Sequence, residues 1–480
     1  MTTVEHTPVY AVERDPKLRI IIPCVVAIAF LMEQLDSTII VTAIPDISKS
    51  LDTTPLRMNL AITAYVLMQA MFIPVSGWFA DRFGAKKVFA AALFIFTISS
   101  VLCGLATSLP MLIAVRALQG LGGAMMTPVG RLAMIRSFPR SQLMKAMTYM
   151  TLPAVVGPLI GPLLGGLLTT YADWRWIFWV NVPFGLIGVL VALRYIDDTR
   201  ADTKARFDFP GFLMVGFGCL FLQYGIENVG HPAIPVPAII AVLALGAGLL
   251  AMFYSYAKTA REPAVDLTLF RTRTFMVGTL YGGLCRIGLN GVPFLMPLML
   301  QVGFGMSPVS AGLITSASAL SILANRPFLP FLLRRFGFRT LLNVSAIAGS
   351  LLLAGFAFLD PATPHWFLAI YAFLVGTTRS VQFLGSNMLS YSDVPAEKLS
   401  RATSLFGVLQ QLSVSFGVSV AAMLLGLVML DGAGLTAETF RTVFLISAIL
   451  PLLALPGFLA LRREDGAAVS GYKMRLEEAE

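Results

Sequence analysis

Glu33, Asp36 and Arg116 are charged residues inside otherwise apolar stretches. A guanidinium within a bilayer helix costs about 2.5–3.5 kcal/mol on insertion scales, so Arg116 needs water or a partner, and the two acids are its candidates. Glu33 and Asp36 are three residues apart and share one face of a helix. Two carboxylates in one low-dielectric cavity repel, which poises one of them to hold a proton. A carboxyl that changes protonation as its cavity alternates between two sides of a membrane is what proton coupling requires. The competing reading makes Asp36 a fixed hydrogen-bonding strut and Glu33 a cavity-lining residue.

The second half carries Arg286, Arg326 and Arg379 inside apolar runs, with Asn290, Asn325, Gln382 and Asn387, and no acid inside those runs to neutralise them. Such arginines call for an anionic partner: a substrate, a lipid headgroup or a carboxylate across an interface. Arg326 lies nearer a span end and can snorkel. The alternative is that all three pair with Glu33, Asp36 or backbone carbonyls. The candidate substrate-binding set is Gln69, Gln119, Arg286, Asn290, Arg326, Arg379 and Gln382. Tyr65, Met68, Phe72, Phe294, Met296 and Met299 would offer adaptable apolar contacts, or pack and face lipid. Glu227 reads as an interfacial acid.

The elements that position these residues follow from composition. Of 480 residues, 57% are hydrophobic and 13% charged, and the mean hydropathy of +0.79 excludes a set of soluble domains. A spanning helix takes about 20 apolar residues. Apolar runs predict fourteen spans near 19–42, 56–79, 87–107, 109–131, 143–169, 175–196, 209–228, 233–257, 274–300, 308–333, 339–358, 364–390, 401–430 and 438–461. The first run is too long for a signal peptide and reads as an uncleaved span. The charge of +9 sorts by loop: 26 Lys and Arg fall on the N-terminal side and four, Lys49, Arg57, Arg175 and Arg441, on the other. The positive-inside rule then predicts both termini in the cytoplasm. Topology and anionic lipid explain the basicity without nucleic acid. Cys24, Cys103, Cys219 and Cys285 sit far apart in apolar runs and read as buried thiols. No metal-ligand spacing occurs among them and the three histidines.

An internal repeat joins the halves. Arg82-Phe83-Gly84 with Lys86 after the second span recurs as Arg335-Phe336-Gly337 with Arg339 after the tenth. The offset pairs spans 1–6 with 9–14 and leaves spans 7 and 8 inserted. Parallel halves with a midplane site between them are a transporter hallmark. The expected organisation is a cytoplasmic N-terminus over 1–18, a six-helix bundle over 19–196, a cytoplasmic linker over 197–208, two inserted helices over 209–257, a second linker over 258–273, a second bundle over 274–462 and a disordered tail over 463–480.

The loop Gly77-x-x-x-Asp81-Arg82-x-Gly84-x-Lys86-Lys87 resembles the signature of the major facilitator superfamily between its second and third helices. Leu35-Asp36-Ser37-Thr38 through Ile44-Pro45 is similar to the first-helix motif of its fourteen-helix drug:proton antiporter branch, with Thr42 where Asn is usual. Arg116-Ala117-Leu118-Gln119-Gly120 resembles that branch's fourth-helix motif, Gly157-Pro158 through Gly165-Gly166 its fifth-helix antiporter motif, and Asp173-Trp174-Arg175 through Asn181-Val182-Pro183 its entry to helix six. The resemblance implies an all-α integral membrane fold of two six-helix bundles plus two inserted linking helices. It also implies a conformational latch at Gly77, Asp81, Arg82, Gly84 and Lys86, and an antiporter hinge at Gly157, Gly161, Pro162, Gly165 and Gly166. Physically, glycines at every fourth position let another helix approach closely, and Pro158 and Pro162 permit bending.

The expected function is proton-coupled export of an amphiphilic organic compound or drug by alternating access, from a bacterial inner membrane. The substrate would have an apolar body and an anionic or zwitterionic head. The expected partners are that substrate, protons and lipids, with a monomeric protein and no cofactor beyond the proton gradient. A facilitator or importer of small organic anions is the alternative. A membrane enzyme is remote, since no nucleophile, metal cluster or interfacial acid pair stands out.

Overall fold

The computed structural model describes residues 18–138, 140–196, 208–229, 234–260, 265–395, 398–429 and 434–472, and every described element is helical. The helices are α1 Leu18–Ser50, α2 Asn59–Phe83, α3 Ala85–Gly104, α4 Leu109–Ser137, α5 Arg140–Tyr171, α6 Asn181–Tyr195, α7 Phe209–Glu227 and α8 Val236–Ala257. There follow α9 Arg273–Gly303, the stretch Pro308–Gly355 that holds α10 and α11, then α12 His365–Ser392, α13 Leu399–Val428 and α14 Ala437–Leu459. Twelve helices among the described residues are long and apolar enough to cross a membrane.

Local chemistry sets the ends. Ser108, Asp208, Ser307 and Thr436 accept bonds from the amides of Met111, Gly211, Ser310 and Thr439 at 3.0–3.4 Å, capping α4, α7, α10 and α14. Prolines follow the first three caps, where a missing amide donor costs nothing. α1 runs to Ser50 and α4 to Ser137, past the expected 42 and 131. Polar residues such as Asp46 and Lys49 end an apolar run without ending a helix; α1 stops where Asp52 turns to φ 48° before Pro55.

The repeat seen in sequence recurs in the backbone. Gly84 separates α2 from α3 at φ 94°, and Gly337 separates α10 from α11 at φ 71°. Both lie in a region that favours glycine.

α1 packs on α5, α2 on α4, α3 on α4 and α6; in the second group α9 packs on α13, and α10 and α11 on α12. The groups meet through α5–α10, α2–α13 and α1–α9, while α7 pairs with α8 and leans on α2 and α13. Between α8 and α9, Asp266 accepts from the amide and hydroxyl of Thr268 and pairs with Arg401 of α13 at 3.4 Å. Burial pushes its carboxyl up, but these donors more than offset it and hold it below the usual carboxylate range.

Two expectations differ. Cys24 is exposed, whereas Cys103, Cys219 and Cys285 are buried; an apolar run does not say which of its faces looks inward. Part of the expected disordered tail is folded: a helical turn at Ala467–Ser470 packs on the α10–α11 stretch and α12, and Asp465 reaches Arg273 at 3.8 Å. Small residues and a local acid let this short segment dock; residues 473–480 lie outside the described residues.

Candidate functional site

Asp36 of α1 and Arg116 of α4 form an ion pair at 2.5 Å, with both side chains fully buried. Such a pair is costly in an apolar interior unless its remaining donors and acceptors are met; here most are, and Arg116 Nη2 alone of the guanidinium nitrogens has no hydrogen bond. Gln119, one helical turn after Arg116, donates to Asp36 Oδ1 at 2.9 Å and accepts from Arg116 Nη1 at 2.7 Å. Asn181 of α6 donates to the same Oδ1 at 3.3 Å, and Arg116 Nε donates to the Ala61 carbonyl of α2 at 3.4 Å. The guanidinium lies 4.2 Å from the Tyr65 ring centre, a cation–π contact. Gln119, expected among the substrate contacts, is thus a wholly buried member of this ion-pair centre.

Glu33, one turn before Asp36, is half-buried and bonded differently. Gln69 of α2 donates to its Oε1 at 2.9 Å, and the Thr127 hydroxyl of α4 donates to its Oε2. Of the two acids offered as partners for Arg116, Asp36 takes that place. Gln69 also accepts from Gln411 of α13 at 2.7 Å. A hydrogen-bonded line therefore runs from Glu33 through Gln69 into the other helix group. Sequence reading missed Gln411 and Thr127 and quoted Asn181 only within a motif, without a role; Gln411 signals itself only as one of two adjacent glutamines in an apolar span.

In the second group Arg286 of α9 is 2% exposed, and none of its three guanidinium nitrogens has a hydrogen-bond partner. It lies 5.4 Å from the Phe406 ring centre. Glycines make its cradle: a methyl added at Gly282 would lie 2.7 Å from Ser386 Oγ and 3.5 Å from Arg286 Nη1. Ser386 Oγ is also buried and unpartnered. Two buried donors without an acceptor suit an anion. Arg379 of α12 is half-buried, and no acid among the described residues pairs with it.

The other candidates sort by place. Asn290 is half-buried, with Gly417 of α13 packed against it. Arg326 is exposed on α10. Gln382 is fully buried; it donates to Cys285 Sγ at 2.9 Å and accepts from Ser345 at 2.8 Å, so packing already uses it. Phe294, Met296 and Met299 are each 1% exposed in the core.

The stretch expected as a loop is helical on both sides of Gly84: Gly77 is exposed and Asp81 half-buried in α2, Lys86 is half-buried in α3, and Arg82 of α2 lies 5.4 Å from the Trp78 ring centre. The α5 glycines divide between two neighbours. Side chains at Gly157, Gly161 and Gly165 would run into Gln34, Thr38 and Thr42 of α1, inside the first group. Gly166 and Pro162 face α10, where a methyl at Gly166 would meet the Pro308 carbonyl and one at Gly312 the Pro162 carbonyl. Nearby, Gln301 of α9 donates to the Thr42 carbonyl at 3.0 Å. These contacts join the two groups at the end away from the α2–α3 junction.

A helical membrane fold of two similar groups with buried charges at their centre defines a secondary transporter. The family model for the Major Facilitator Superfamily matches residues 26–418. Proteins of Escherichia coli O6:H1 and of Escherichia fergusonii, both provisionally named multidrug resistance protein MdtD, are 38% identical over 442 residues, covering 91% of this chain and 93% of theirs. The solved nucleoside transporter NupG aligns at a TM-score of 0.61 and 16% identity, over 92% of this chain and 98% of its own. A bacterial homologue of the human lysosomal transporter Spinster, solved inward-facing and unoccupied, aligns at 0.63 and 17% identity, over 93% and 97%. The chain belongs to the major facilitator superfamily, in the drug:proton antiporter branch that its motifs resemble, and is a transporter, not an enzyme.

Proposed function

We propose that this protein exports an amphiphilic organic compound across a bacterial inner membrane in exchange for protons, by alternating access between two six-helix bundles. The observation that carries it is the buried Asp36–Arg116 pair one turn from Glu33, whose bonds continue through Gln69 to Gln411 of the second bundle. Protonation of either acid would loosen this network and change how the bundles hold each other. Glu33 is the less buried of the two acids; Asp36, Arg116 and Gln119 form the buried switch behind it.

Fourteen crossings are part of this reading. The twelve long apolar helices become fourteen when Gly337 divides α10 from α11 and α5 is added. Residues 19–196 and 274–462 form the bundles, 209–257 the inserted pair, and both termini are cytoplasmic. The α5–α10 seam then closes the outer side, and Gly161, Pro162, Gly165 and Gly166 set how tightly α5 moves against α1 and α10. Asp81, Arg82 and Lys86, with Gly77 and Gly84, form a cytoplasmic latch.

Arg286, assisted by Arg379 and Asn290, receives an anionic or zwitterionic head, since Arg286 has every donor buried and none satisfied. The relatives named for multidrug resistance support a drug-like apolar body. A facilitator of small organic anions is the second reading, favoured by the same arginines. The protein works as a monomer and needs no cofactor beyond the proton gradient.

A thermal-shift screen of purified protein against cationic, zwitterionic and anionic amphiphiles tests the substrate class. Anionic or zwitterionic heads are expected to raise the melting temperature, and Arg286→Ala with Arg379→Ala to remove the effect. A preference for cations undiminished by both replacements contradicts it. Flux in proteoliposomes with and without a pH gradient separates the antiporter from the facilitator.

A further inference from the structure

Glu227 ends α7, a helix outside both bundles, yet its carboxyl lies between them. Ser419 of α13 donates to Glu227 Oε1 at 2.7 Å, and the Thr63 hydroxyl of α2, which donates to the Asn59 carbonyl of its own helix at 3.0 Å, lies beside the same carboxyl. Gln223, one turn earlier on α7, donates to Oε1 at 3.3 Å and accepts from Ser415 of α13 at 2.7 Å. Gln223, Thr63, Ser415 and Ser419 are each 2% exposed or less. The sequence reading of Glu227 as an interfacial acid is thereby corrected: α7 turns its polar edge into the α2–α13 seam, where it is shielded from lipid.

No charge balances this acid among the described residues. Between Arg57 and Asp81 the α2 segment has none and only the phenol of Tyr65 as a titratable group, which faces Arg116. α13 has no charge after Arg401, and α7 none besides Glu227; Cys219 and Tyr224 are its other titratable groups. α8, packed on α7, has only Tyr254 and Tyr256 near its opposite end. The carboxyl is held by hydroxyl and amide donors alone.

We propose that Glu227 is a second proton-binding site, which clasps α2 to α13 at the outer seam while charged and releases them when protonated. A carboxylate accepts from Ser419 and Gln223 and competes with the Asn59 carbonyl for the Thr63 hydroxyl beside it, and so draws one helix of each bundle toward α7. Protonation gives it a hydrogen to donate and takes away acceptor capacity, so the donors no longer converge on it. The sign suits the exchange: an outer proton opens the outer side. This gives the inserted helix pair a task beyond the proposed function above, from which it takes only the orientation and the alternation of the bundles.

The test is a cysteine pair across the same seam. A methyl at Gly426 of α13 would lie 3.7 Å from Leu56 Cδ2, so Leu56→Cys with Gly426→Cys should form a disulfide on oxidation in sealed membranes when the seam is shut. The natural cysteines alone serve as the control. The pair is expected to crosslink fast at neutral outer pH and about threefold to tenfold more slowly in an acidic outer bath, the scale of a few intramembrane hydrogen bonds. With E227Q added, crosslinking should be slow at both pH values. S419A, which removes one donor and keeps the acid, should lie about threefold below the parent. Equal pH responses with and without E227Q, or an S419A rate equal to the parent's, would overturn the proposal. A response found only when the opposite face is acidified would instead refute the assigned orientation and leave the clasp standing.

Discussion

At the residue scale, the first group holds a cation paired with an acid and the second a cation paired with none, and they should respond oppositely to mutation. Arg116 has Asp36, Gln119 and the Ala61 carbonyl. Removing one partner of a buried pair costs about 3–5 kcal/mol. Arg116→Ala should therefore lower thermal stability in detergent sharply, and adding Asp36→Asn should recover part of the loss; strictly additive losses would mean that the two do not act as a pair. Arg286 has no acceptor, so Arg286→Met should raise the ligand-free melting temperature and abolish the shift given by anionic amphiphiles. A fall in stability would mean that the guanidinium is already neutralised by a bound group. The first centre was legible in sequence because charges inside apolar runs must be answered. Gln411, Ser415 and Ser419 were not, since neutral polar residues can rest on their own helix and disclose a distant partner only once the register between helices is known.

At the element scale, the α5 glycines serve two seams. Gly161 faces Thr38 within the first group, whereas Gly166 and Pro162 face α10 across the boundary. Overpacking a tight interior costs about 1–3 kcal/mol, so Gly161→Leu should lower the melting temperature. Gly312→Leu, placed against the Pro162 carbonyl, should leave folding intact and hold the outer side open, which labelling of a cysteine at Thr42→Cys by an impermeant maleimide would reveal as faster modification. Equal effects on stability would dissolve the distinction between the seams. The glycine period was plain in the sequence, but which neighbour each glycine meets was not, because a helix shows its spacing and hides its partner. Gly84 and Gly337 were legible as a repeat, and their shared positive φ gives the physical reason: both end one helix and start the next without a long loop.

At the scale of the whole molecule, the helical membrane fold followed from composition and loop charge, as the family match bears out. The place of α7 did not, because its apolar surface is compatible with lipid and only its polar edge, Gln223 and Glu227, shows that it belongs against α2 and α13. Orientation is the next consequence. A cysteine introduced at Leu105→Cys, between α3 and α4, should react with an impermeant reagent from outside whole cells, and one at Arg82→Cys only after the membrane is opened; the reverse pattern would invert the topology.

The central claim is that the acid centre of the first bundle converts a proton gradient into transport. Flux in proteoliposomes, with a substrate found by the thermal-shift screen, tests it most directly when driven uphill by a pH gradient and, separately, by substrate exchange alone. Asp36→Asn, inserted at normal levels, should lose gradient-driven accumulation while wild type concentrates its substrate. Proton-driven accumulation by Asp36→Asn equal to that of wild type would contradict the account.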